Sequence, residues 1–344
     1  MKVVSAVQRS WQGISFVTVL LTPLSLVYHL IITVRRWAYK LGLLSVYHAP
    51  VPVVVVGNIT VGGTGKTPII IELARALQSR GWHPGIISRG YGAKLTEPAV
   101  VTPDSDPRKV GDEPVLISQQ THLPVVAYPD RALAIRTLLR NNVDVILSDD
   151  GLQHFAMGRA VEISVVDGEF SYGNGLLLPA GPLREPRSRL NAFDIQIRRN
   201  GSAESGEILV VSNLSRARNI VDGEQKDLGD FEGTSVVAIA GIHYPDRFFN
   251  GLAAKSIELE TLAFNDHHQF TSADLPADRT VLMTTKDEVK CREFAQKSWW
   301  AVDQETILPD QVIEKIERTI GQRVASGCVQ CDHPCTVCVP TASG

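Results

Sequence analysis

Acidic side chains are missing from the start of this 344-residue chain, where no Asp or Glu precedes Glu72. The first fifty residues instead carry a net charge of +5, from Lys2, Arg9, Arg35, Arg36 and Lys40. The whole chain has a net charge of −3, so by subtraction the remainder carries −8. An acidic body of this kind argues against nucleic acid as a partner. Internal repeats are also missing, which excludes a solenoid or propeller.

Charged residues are absent again between Arg9 and Arg35. Apolar side chains recur there at helical spacing, at Val17, Leu20, Leu21, Leu24, Val27, Tyr28 and Ile31. Residues 1–45 are therefore predicted to contain a membrane-associated helix with a polar edge. No small-residue cleavage site follows, which argues against a signal peptide. Pro23 and His29 weaken a membrane-spanning helix, so a helix on the cytoplasmic leaflet of the inner membrane is favoured. A helix buried against the core stays an alternative.

A phosphate-binding loop follows an apolar run at residues 51–57 and precedes a helical pattern at 69–77. Its residues are Thr60, Val61, Gly62, Gly63, Thr64, Gly65, Lys66 and Thr67. Strand, glycine-rich turn and helix are the context that such a loop requires, although Thr60 stands where the usual pattern has Gly. Backbone N–H groups would surround an anion, Lys66 would face the β- and γ-phosphates, and Thr67 would bind Mg²⁺. The pattern predicts binding of a nucleoside triphosphate, with ATP and Mg²⁺ as cofactors.

Strand-like and helical patterns alternate along the rest of the chain. Strands are predicted at 51–57, 85–88, 124–127, 143–147, 161–166, 208–211, 236–240, 256–264 and 281–285. Such alternation predicts an α/β fold with a P-loop NTPase-type parallel sheet and a second, smaller α/β domain. Polar residues at 213–230 are predicted to form a linker. The predicted domains are the N-terminal helix (1–45), the P-loop domain (46–230), the smaller domain (231–325) and a Cys-rich tail (326–344).

Two carboxylates follow the apolar run at 143–147, in the sequence Ser148-Asp149-Asp150. A strand that ends in a carboxylate downstream of a P-loop is the expected second Mg²⁺ site. Asp149 and Asp150 are therefore the candidate metal ligands, together with Thr67. An acidic residue that only caps the next turn is the alternative.

Several longer motifs occur in a fixed order. They are residues 60–67, Ser-Arg-Gly-Tyr-Gly at 88–92, Gly-Asp-Glu-Pro at 111–114, residues 148–154, residues 178–186, Ala-Gly-Ile at 240–242, Arg-Phe-Phe at 247–249, Asp-His-His at 266–268 and Thr-Lys-Asp at 285–287. Together they resemble the tetraacyldisaccharide 4′-kinase family over roughly residues 10–322. The resemblance implies a lipid kinase that transfers the ATP γ-phosphoryl group to the 4′-hydroxyl of an acylated disaccharide 1-phosphate, forming lipid IVA in lipid A biosynthesis.

The resemblance also implies residue roles. Asp112 would accept the hydroxyl proton and His267 would orient it, with His268 a second candidate for the histidine. Because these residues were predicted to lie in different domains, they were expected to meet only on domain closure. Lys66 and Arg131 would stabilise charge on the transferred phosphoryl group, and a solvated arginine at a helix start is the alternative for Arg131. The arginines of the loop at 178–189, Arg184, Arg187 and Arg189, could hold the acceptor phosphate, or form a solvated basic loop.

Two other functional classes compete with a kinase. A membrane-associated regulatory ATPase or GTPase switch would carry a guanine-reading Asn-Lys-x-Asp, and this chain offers only Thr-Lys-Asp at 285–287. A nucleotide-binding scaffold would release no ADP in response to an acceptor.

The tail is the last distinctive segment. Its cysteines, Cys328, Cys331, Cys335 and Cys338, form two C-x-x-C pairs that could bind Zn²⁺. Their separation is shorter than in usual zinc ribbons, and a tail with reactive thiols is the alternative.

Overall fold

The computed structural model describes residues 10–325. Its α-helices are α1 (Phe16–Lys40), α2 (Lys66–Ser79), α3 (Pro107–Val110), α4 (Asp112–Thr121), α5 (Arg131–Leu138), α6 (Pro245–Ala253), α7 (Thr285–Cys291) and α8 (Asp310–Ala325). Its strands are β1 (Val53–Gly57), β2 (Pro84–Ser88), β3 (Ala99–Val101), β4 (Val125–Ala127), β5 (Val145–Asp149), β6 (Val161–Asp167), β7 (Ile195–Arg199), β8 (Glu207–Asn219), β9 (Gln225–Asp227), β10 (Ser235–Ala240), β11 (Glu258–Ala263), β12 (Thr280–Thr284) and β13 (Trp299–Ile307).

The chain forms two compact units. The first comprises the described residues up to Arg89, Asp130–Val210 and those from Leu308 onward. Its strands pair in parallel in the order β2-β5-β1-β6-β7, and the first residues of β8 pair with β7. The central strands are continuous apolar runs because helices cover both faces of a parallel sheet. All four valines of Val53–Val56 are fully buried.

The second unit comprises Gly90–Pro129 and Val211–Ile307. Strands β11, β10, β12 and β13 pair in parallel in that order, and the rest of β8 runs antiparallel to β13. Strand β9 pairs antiparallel with β8, and β3 with β4. Two apolar clusters pack around these strands, one containing Trp300 with Phe248 and the other containing Trp299 with Met283.

The α/β class is confirmed, and two details differ from the sequence-based expectation. The prediction of a polar linker at 213–230 is wrong, because β8 continues to Asn219 and β9 follows it. The compact units also do not follow a single boundary near residue 230, because Gly90–Pro129 clusters with Val211–Ile307.

Helix α1 begins with a reciprocal cap, in which the Ser15 hydroxyl accepts a hydrogen bond from the Thr18 backbone N–H. It is the one helix within residues 10–325 that is long and apolar enough to cross a membrane. Its large side chains are exposed, with Leu20 at 67% and Leu30 at 63% of their full accessibility. This exposure contradicts the alternative of a helix buried in the core.

Candidate active site

The phosphate-binding loop lies where predicted, between β1 and α2. Gly65 precedes α2 with φ = +76°, a left-handed conformation that favours glycine. Lys66 is the first residue of the helix, and its Nζ lies 3.1 Å from Asn58 Oδ1 and 3.4 Å from Asp150 Oδ1. A lysine ammonium and the N–H groups of a first helical turn are the groups that favour an anion.

Asp149 and Asp150 lie at the same edge of the sheet as this loop. Strands β1 and β5 are parallel neighbours, with Val56 opposite Asp149. Burial acts to raise the pKa of Asp150, but Lys66 and Arg184 outweigh it and lower that pKa below its usual value. The carboxylate therefore stays ionised at neutral pH.

The residues at this edge suit a magnesium ion. Mg²⁺ prefers hard oxygen ligands such as carboxylates and hydroxyls. Asp149 and Asp150 offer carboxylates, and Thr67 offers a hydroxyl in the first turn of α2. This donor set fits the predicted metal, because Asp149 ends β5 and Asp150 follows it.

The three arginines predicted for acceptor binding have different surroundings. Arg184 Nη1 donates to both carboxylate oxygens of Asp150, at 3.2 and 3.0 Å. The guanidinium of Arg187 stacks over the ring of Tyr172 at 4.5 Å. Arg189 is only 4% exposed and forms a buried ion pair with Glu162. Of the three, Arg184 is the one that lies beside the phosphate-binding loop, and Arg189 is better explained as a structural partner of Glu162.

Arg131, at the start of α5, lies next to the backbone of Asp149. It is 3% exposed, and its Nη2 donates to the backbone oxygen of Asp149 at 2.7 Å. Burial lowers the pKa of Arg131 to about 10, so it stays a cation at neutral pH. Its Nε and Nη1 have no hydrogen-bond partner within residues 10–325, so two buried donors are available near Asp149.

The second unit holds the other predicted pair, Asp112 and His267. Gly111, with φ = +98°, leads into α4, and Asp112 is the first residue of that helix. His267 Nδ1 lies 2.9 Å from Asp112 Oδ2 and 3.2 Å from Oδ1. Both residues belong to the same compact unit. The expectation that they lie in different domains and meet only on closure is therefore wrong.

The contact changes the pKa of both partners. Burial acts to raise the pKa of Asp112, but His267 and Lys286 lower it to about 2. Burial acts to lower the pKa of His267, but the hydrogen bond to Asp112 outweighs it and raises that pKa. Asp112 is thus a carboxylate at neutral pH with a lone pair that can accept a hydroxyl proton, and its low pKa makes it a weak base in this state.

His268 faces a different environment from its neighbour. Its ring packs against Phe264 and Phe270, each with a centroid distance of 4.8 Å. Its Nε2 lies 3.5 Å from Asp274. Of the two histidines, the structure places His267 on Asp112.

Two residues beside Asp112 were given no role from the sequence. Lys286 Nζ lies 3.9 Å from Asp112 Oδ2, and the Tyr91 ring lies 4.9 Å from the His267 ring. Both belong to motifs already noted, Thr-Lys-Asp at 285–287 and Ser-Arg-Gly-Tyr-Gly at 88–92. These motifs could have indicated that Lys286 and Tyr91 belong to the site. The residue types alone did not indicate that they lie beside Asp112 and His267. The four tail cysteines lie outside the described residues.

A P-loop beside paired carboxylates, on a parallel α/β sheet, defines the class of P-loop proteins that bind nucleoside triphosphates. Comparison with known proteins narrows this class. The family model for tetraacyldisaccharide-1-P 4′-kinase matches residues 17–321. The chain belongs to this family, and the resemblance inferred from its motifs is confirmed.

Curated relatives and a solved structure agree with the family match. The tetraacyldisaccharide 4′-kinase of Nitrosococcus oceani is 47% identical over 309 residues, covering 89% of this chain and 91% of that protein. The kinase of Pasteurella multocida is 46% identical over 299 residues, covering 85% and 91%. A crystal structure of LpxK from Aquifex aeolicus in complex with ATP matches with a TM-score of 0.77 and 26% identity, covering 88% of this chain and 99% of that one.

Proposed function

We propose that this kinase transfers the γ-phosphoryl group of ATP to the 4′-hydroxyl of tetraacyldisaccharide 1-phosphate, forming lipid IVA for lipid A biosynthesis. The observation that carries the proposal is the family match over residues 17–321, which includes the P-loop, Asp112 and His267. In the reaction, the acceptor oxygen forms a bond to the γ-phosphorus, and the bond from that phosphorus to the β–γ bridging oxygen breaks. ADP leaves, and the hydroxyl proton goes to a base.

Residues 60–67 are assigned to the nucleotide. The Aquifex aeolicus relative is described in complex with ATP, which supports ATP as the nucleotide here. Lys66 would release Asp150, its present partner at 3.4 Å, in favour of phosphate oxygens. Arg131 is placed behind Asp149 and adds positive charge near the same edge of the sheet.

Magnesium is the proposed metal, held by Asp149, Asp150 and Thr67. When bound, Mg²⁺ neutralises charge on the phosphate oxygens during transfer. Arg184 already holds the Asp150 carboxylate through two hydrogen bonds, which limits where that ligand can lie.

Asp112 is the proposed base, and His267 orients it. The carboxylate is ionised and accepts a hydrogen bond from the imidazole, so its remaining lone pairs are directed to fixed positions. A positioned base of this kind contributes about 10²–10⁴-fold to the rate of proton transfer.

The acceptor is proposed to reach the enzyme from the cytoplasmic leaflet of the inner membrane. The exposed apolar side chains of α1 suit the acyl layer, and Arg35, Arg36 and Lys40 suit anionic lipid. Arg184 is the proposed ligand of the acceptor phosphate among the three candidate arginines.

The test is ADP release by purified enzyme in mixed micelles, with and without tetraacyldisaccharide 1-phosphate. We expect ADP release to depend on this acceptor and the product to gain one phosphate at the 4′ position. Lys66→Ala, which removes the P-loop charge, should abolish both signals. Equal ADP release without the acceptor would refute the kinase proposal in favour of a regulatory ATPase.

A further inference from the structure

Lys286 lies in the first turn of α7, where its ammonium group meets three carboxylates. Its Nζ is 3.1 Å from Glu113 Oε1, 3.4 Å from Asp266 Oδ1 and 3.9 Å from Asp112 Oδ2. The side chain is 18% exposed, so solvent screens these interactions only in part. Burial acts to lower the pKa of Lys286, but the charges of Glu113, Asp112 and Asp266 outweigh it, so that pKa lies above its usual value.

The three carboxylates come from two different segments of the second unit. Asp112 and Glu113 begin α4, whereas Asp266 immediately precedes His267. Lys286, on a third segment, contacts both. The lysine is therefore an ionic link between the segment that carries the candidate base and the segment that carries its histidine.

The backbone at His267 needs such support. His267 has φ = +59°, a left-handed conformation that is unfavourable for a residue with a side chain. Its N–H donates to Asp266 Oδ1 at 3.1 Å, the same oxygen that Lys286 approaches. Holding Asp266 thus holds the turn that aims the imidazole at Asp112.

We propose that Lys286 is a positioning residue, which fixes the Asp266–His267 turn against the start of α4 and so keeps the imidazole on Asp112. This inference rests on the proposed function, because positioning by Lys286 serves the reaction only if Asp112 is the base. Without the ammonium, Asp112, Glu113 and Asp266 would repel one another, and the turn would move away from α4.

Titration of His267 separates this role from a purely electrostatic one. The groups that face its ring are Asp112, Asp266, Lys286 and the aromatic ring of Tyr91. The charge of Lys286 acts to lower the pKa of His267, and the contact with Asp112 acts to raise it. Loss of the lysine charge alone would therefore raise the pKa of His267. Loss of the contact with Asp112 would lower it.

The experiment is an NMR titration of histidine-labelled full-length protein in detergent micelles, with the His267 signal assigned from a His267→Gln spectrum. We expect Lys286→Met to lower the pKa of His267 towards that of a free histidine, and Asp112→Asn should lower it in the same direction. Lys286→Arg should retain the wild-type titration. Lys255→Met, which removes an exposed lysine of the same unit, is the matched control and should change nothing.

Kinetics provide the second readout. Misplacing a reacting group by about 1 Å can cost about 100-fold in rate, so Lys286→Met should lower kcat by about that factor with an unchanged KM for ATP. Lys286→Arg should recover most of that loss. If Lys286→Met does not fold, Glu113→Gln removes the nearest partner of the lysine, which is not one of the groups facing the His267 ring, and should also lower the pKa of His267.

An unchanged or raised pKa of His267 in folded Lys286→Met would overturn the proposal, as would a raised KM for lipid with an unchanged kcat. The titration needs no acceptor lipid. A negative result there therefore refutes the positioning role, whereas acceptor-independent ADP release refutes the proposed function.

Discussion

Two residues of the candidate site adopt backbone conformations that are costly for their type. His267 has φ = +59° and Asp150 has φ = +48°. Such conformations cost about 1–3 kcal/mol each and persist only where surrounding contacts hold them. Asp150 is held by Lys66 and Arg184, and His267 by Asp112 and Asp266. Two of the seven non-glycine residues with positive φ within residues 10–325 are therefore residues assigned to phosphate chemistry and to proton transfer.

Asp112→Asn tests the proton acceptor at the residue scale. The amide keeps the shape of the side chain but cannot take a proton, so we expect kcat to fall by about 10²–10⁴-fold. ATP affinity should be retained, because the P-loop belongs to the other compact unit. Turnover with saturating acceptor and equilibrium ATP binding measure the two effects. Loss of ATP binding would contradict the assignment, and Asp274→Asn, at a carboxylate near His268, is the matched control.

The Asp112–His267 pair should also make stability depend on pH. The pKa of folded His267 is raised, so its stabilising effect is fully present below its usual pKa of 6.5 and is lost as the pH rises through the folded value. The Tm difference between wild type and His267→Gln should therefore be larger at pH 6 than at pH 9. At an unfolding entropy of about 2.1 cal/mol/K per residue, 1 kcal/mol corresponds to about 1–2 °C in Tm for a 344-residue chain. A difference that grows with pH would contradict the assigned sign.

At the scale of elements, α1 is attached to the body at its polar edge. The Ser25 hydroxyl donates to the Leu177 backbone oxygen at 2.8 Å, and the Tyr28 hydroxyl donates to the Arg184 backbone oxygen at 3.0 Å. The loop that receives these bonds also donates to the strand end before the P-loop, from Arg184 N to the backbone oxygen of Ile59. The same helix therefore presents an apolar surface and holds the loop that carries Arg184.

Substitutions on the exposed face of α1 should release the enzyme from lipid. Leu20 and Leu24 are 67% and 58% exposed, and replacing both with Glu removes apolar area and adds repulsion from anionic lipid. We expect weaker flotation with vesicles that contain anionic lipid, and a raised KM for the lipid acceptor but not for ATP. Val221→Glu, at an apolar residue that is 49% exposed elsewhere, is the control and should float normally. Unchanged flotation of the double variant would contradict a membrane role for α1.

Tyr28→Phe separates the positioning of the Arg184 loop by α1 from the membrane binding of that helix. It removes one hydrogen bond to the Arg184 loop and leaves the exposed face intact. We expect normal flotation and a raised KM for the lipid acceptor, because a bond of this kind contributes about 1 kcal/mol. A steady-state assay in mixed micelles measures the change. Reduced flotation would show that the two roles are not separable, and an unchanged KM would show that the bond does not position the loop.

Strands and helices with strong apolar patterns were predictable, and mixed ones were not. Strand β5 and helix α2 coincide with their sequence patterns to within a few residues. Strand β8 was missed beyond residue 211 because most of its side chains there are polar or partly exposed. Its stability comes from antiparallel pairing with β13 and from the ion pair of Arg218 with Glu288. Those partners lie far along the chain, so no local pattern reports them.

At the scale of the whole molecule, sequence motifs identified the site residues but not their grouping. Asp112 and His267 are 155 positions apart, and a linear division of the chain put them in separate domains. They meet because the segment Gly90–Pro129 leaves the first unit and joins the second. Only the topology shows this, since the sequence does not report which unit the segment joins. The position of Lys286 beside both residues has the same origin.

The C-terminal boundary gives a prediction for the whole chain. Helix α8 extends to Ala325, and Arg323 binds Asp194 at 3.1 Å and the backbone oxygen of Ala160. Truncation after Ala325 should therefore retain Tm and kinase activity. Truncation after Gln322 removes the contacts of Arg323 and should lower Tm by a few degrees.

The truncation after Ala325 also tests the tail cysteines. Zn²⁺ binding by Cys328, Cys331, Cys335 and Cys338 is a proposal from the sequence, since four nearby thiolates can reach one ion. Full-length protein purified without oxygen should hold zinc by metal analysis, and the protein truncated after Ala325 should not. Lost activity in that folded truncation would show that the tail serves phosphoryl transfer. The proteins truncated after Gln322 and after Ala325 differ mainly in the ion pair of Arg323 with Asp194. Equal Tm values for these two proteins would therefore show that Arg323 does not secure the end of α8.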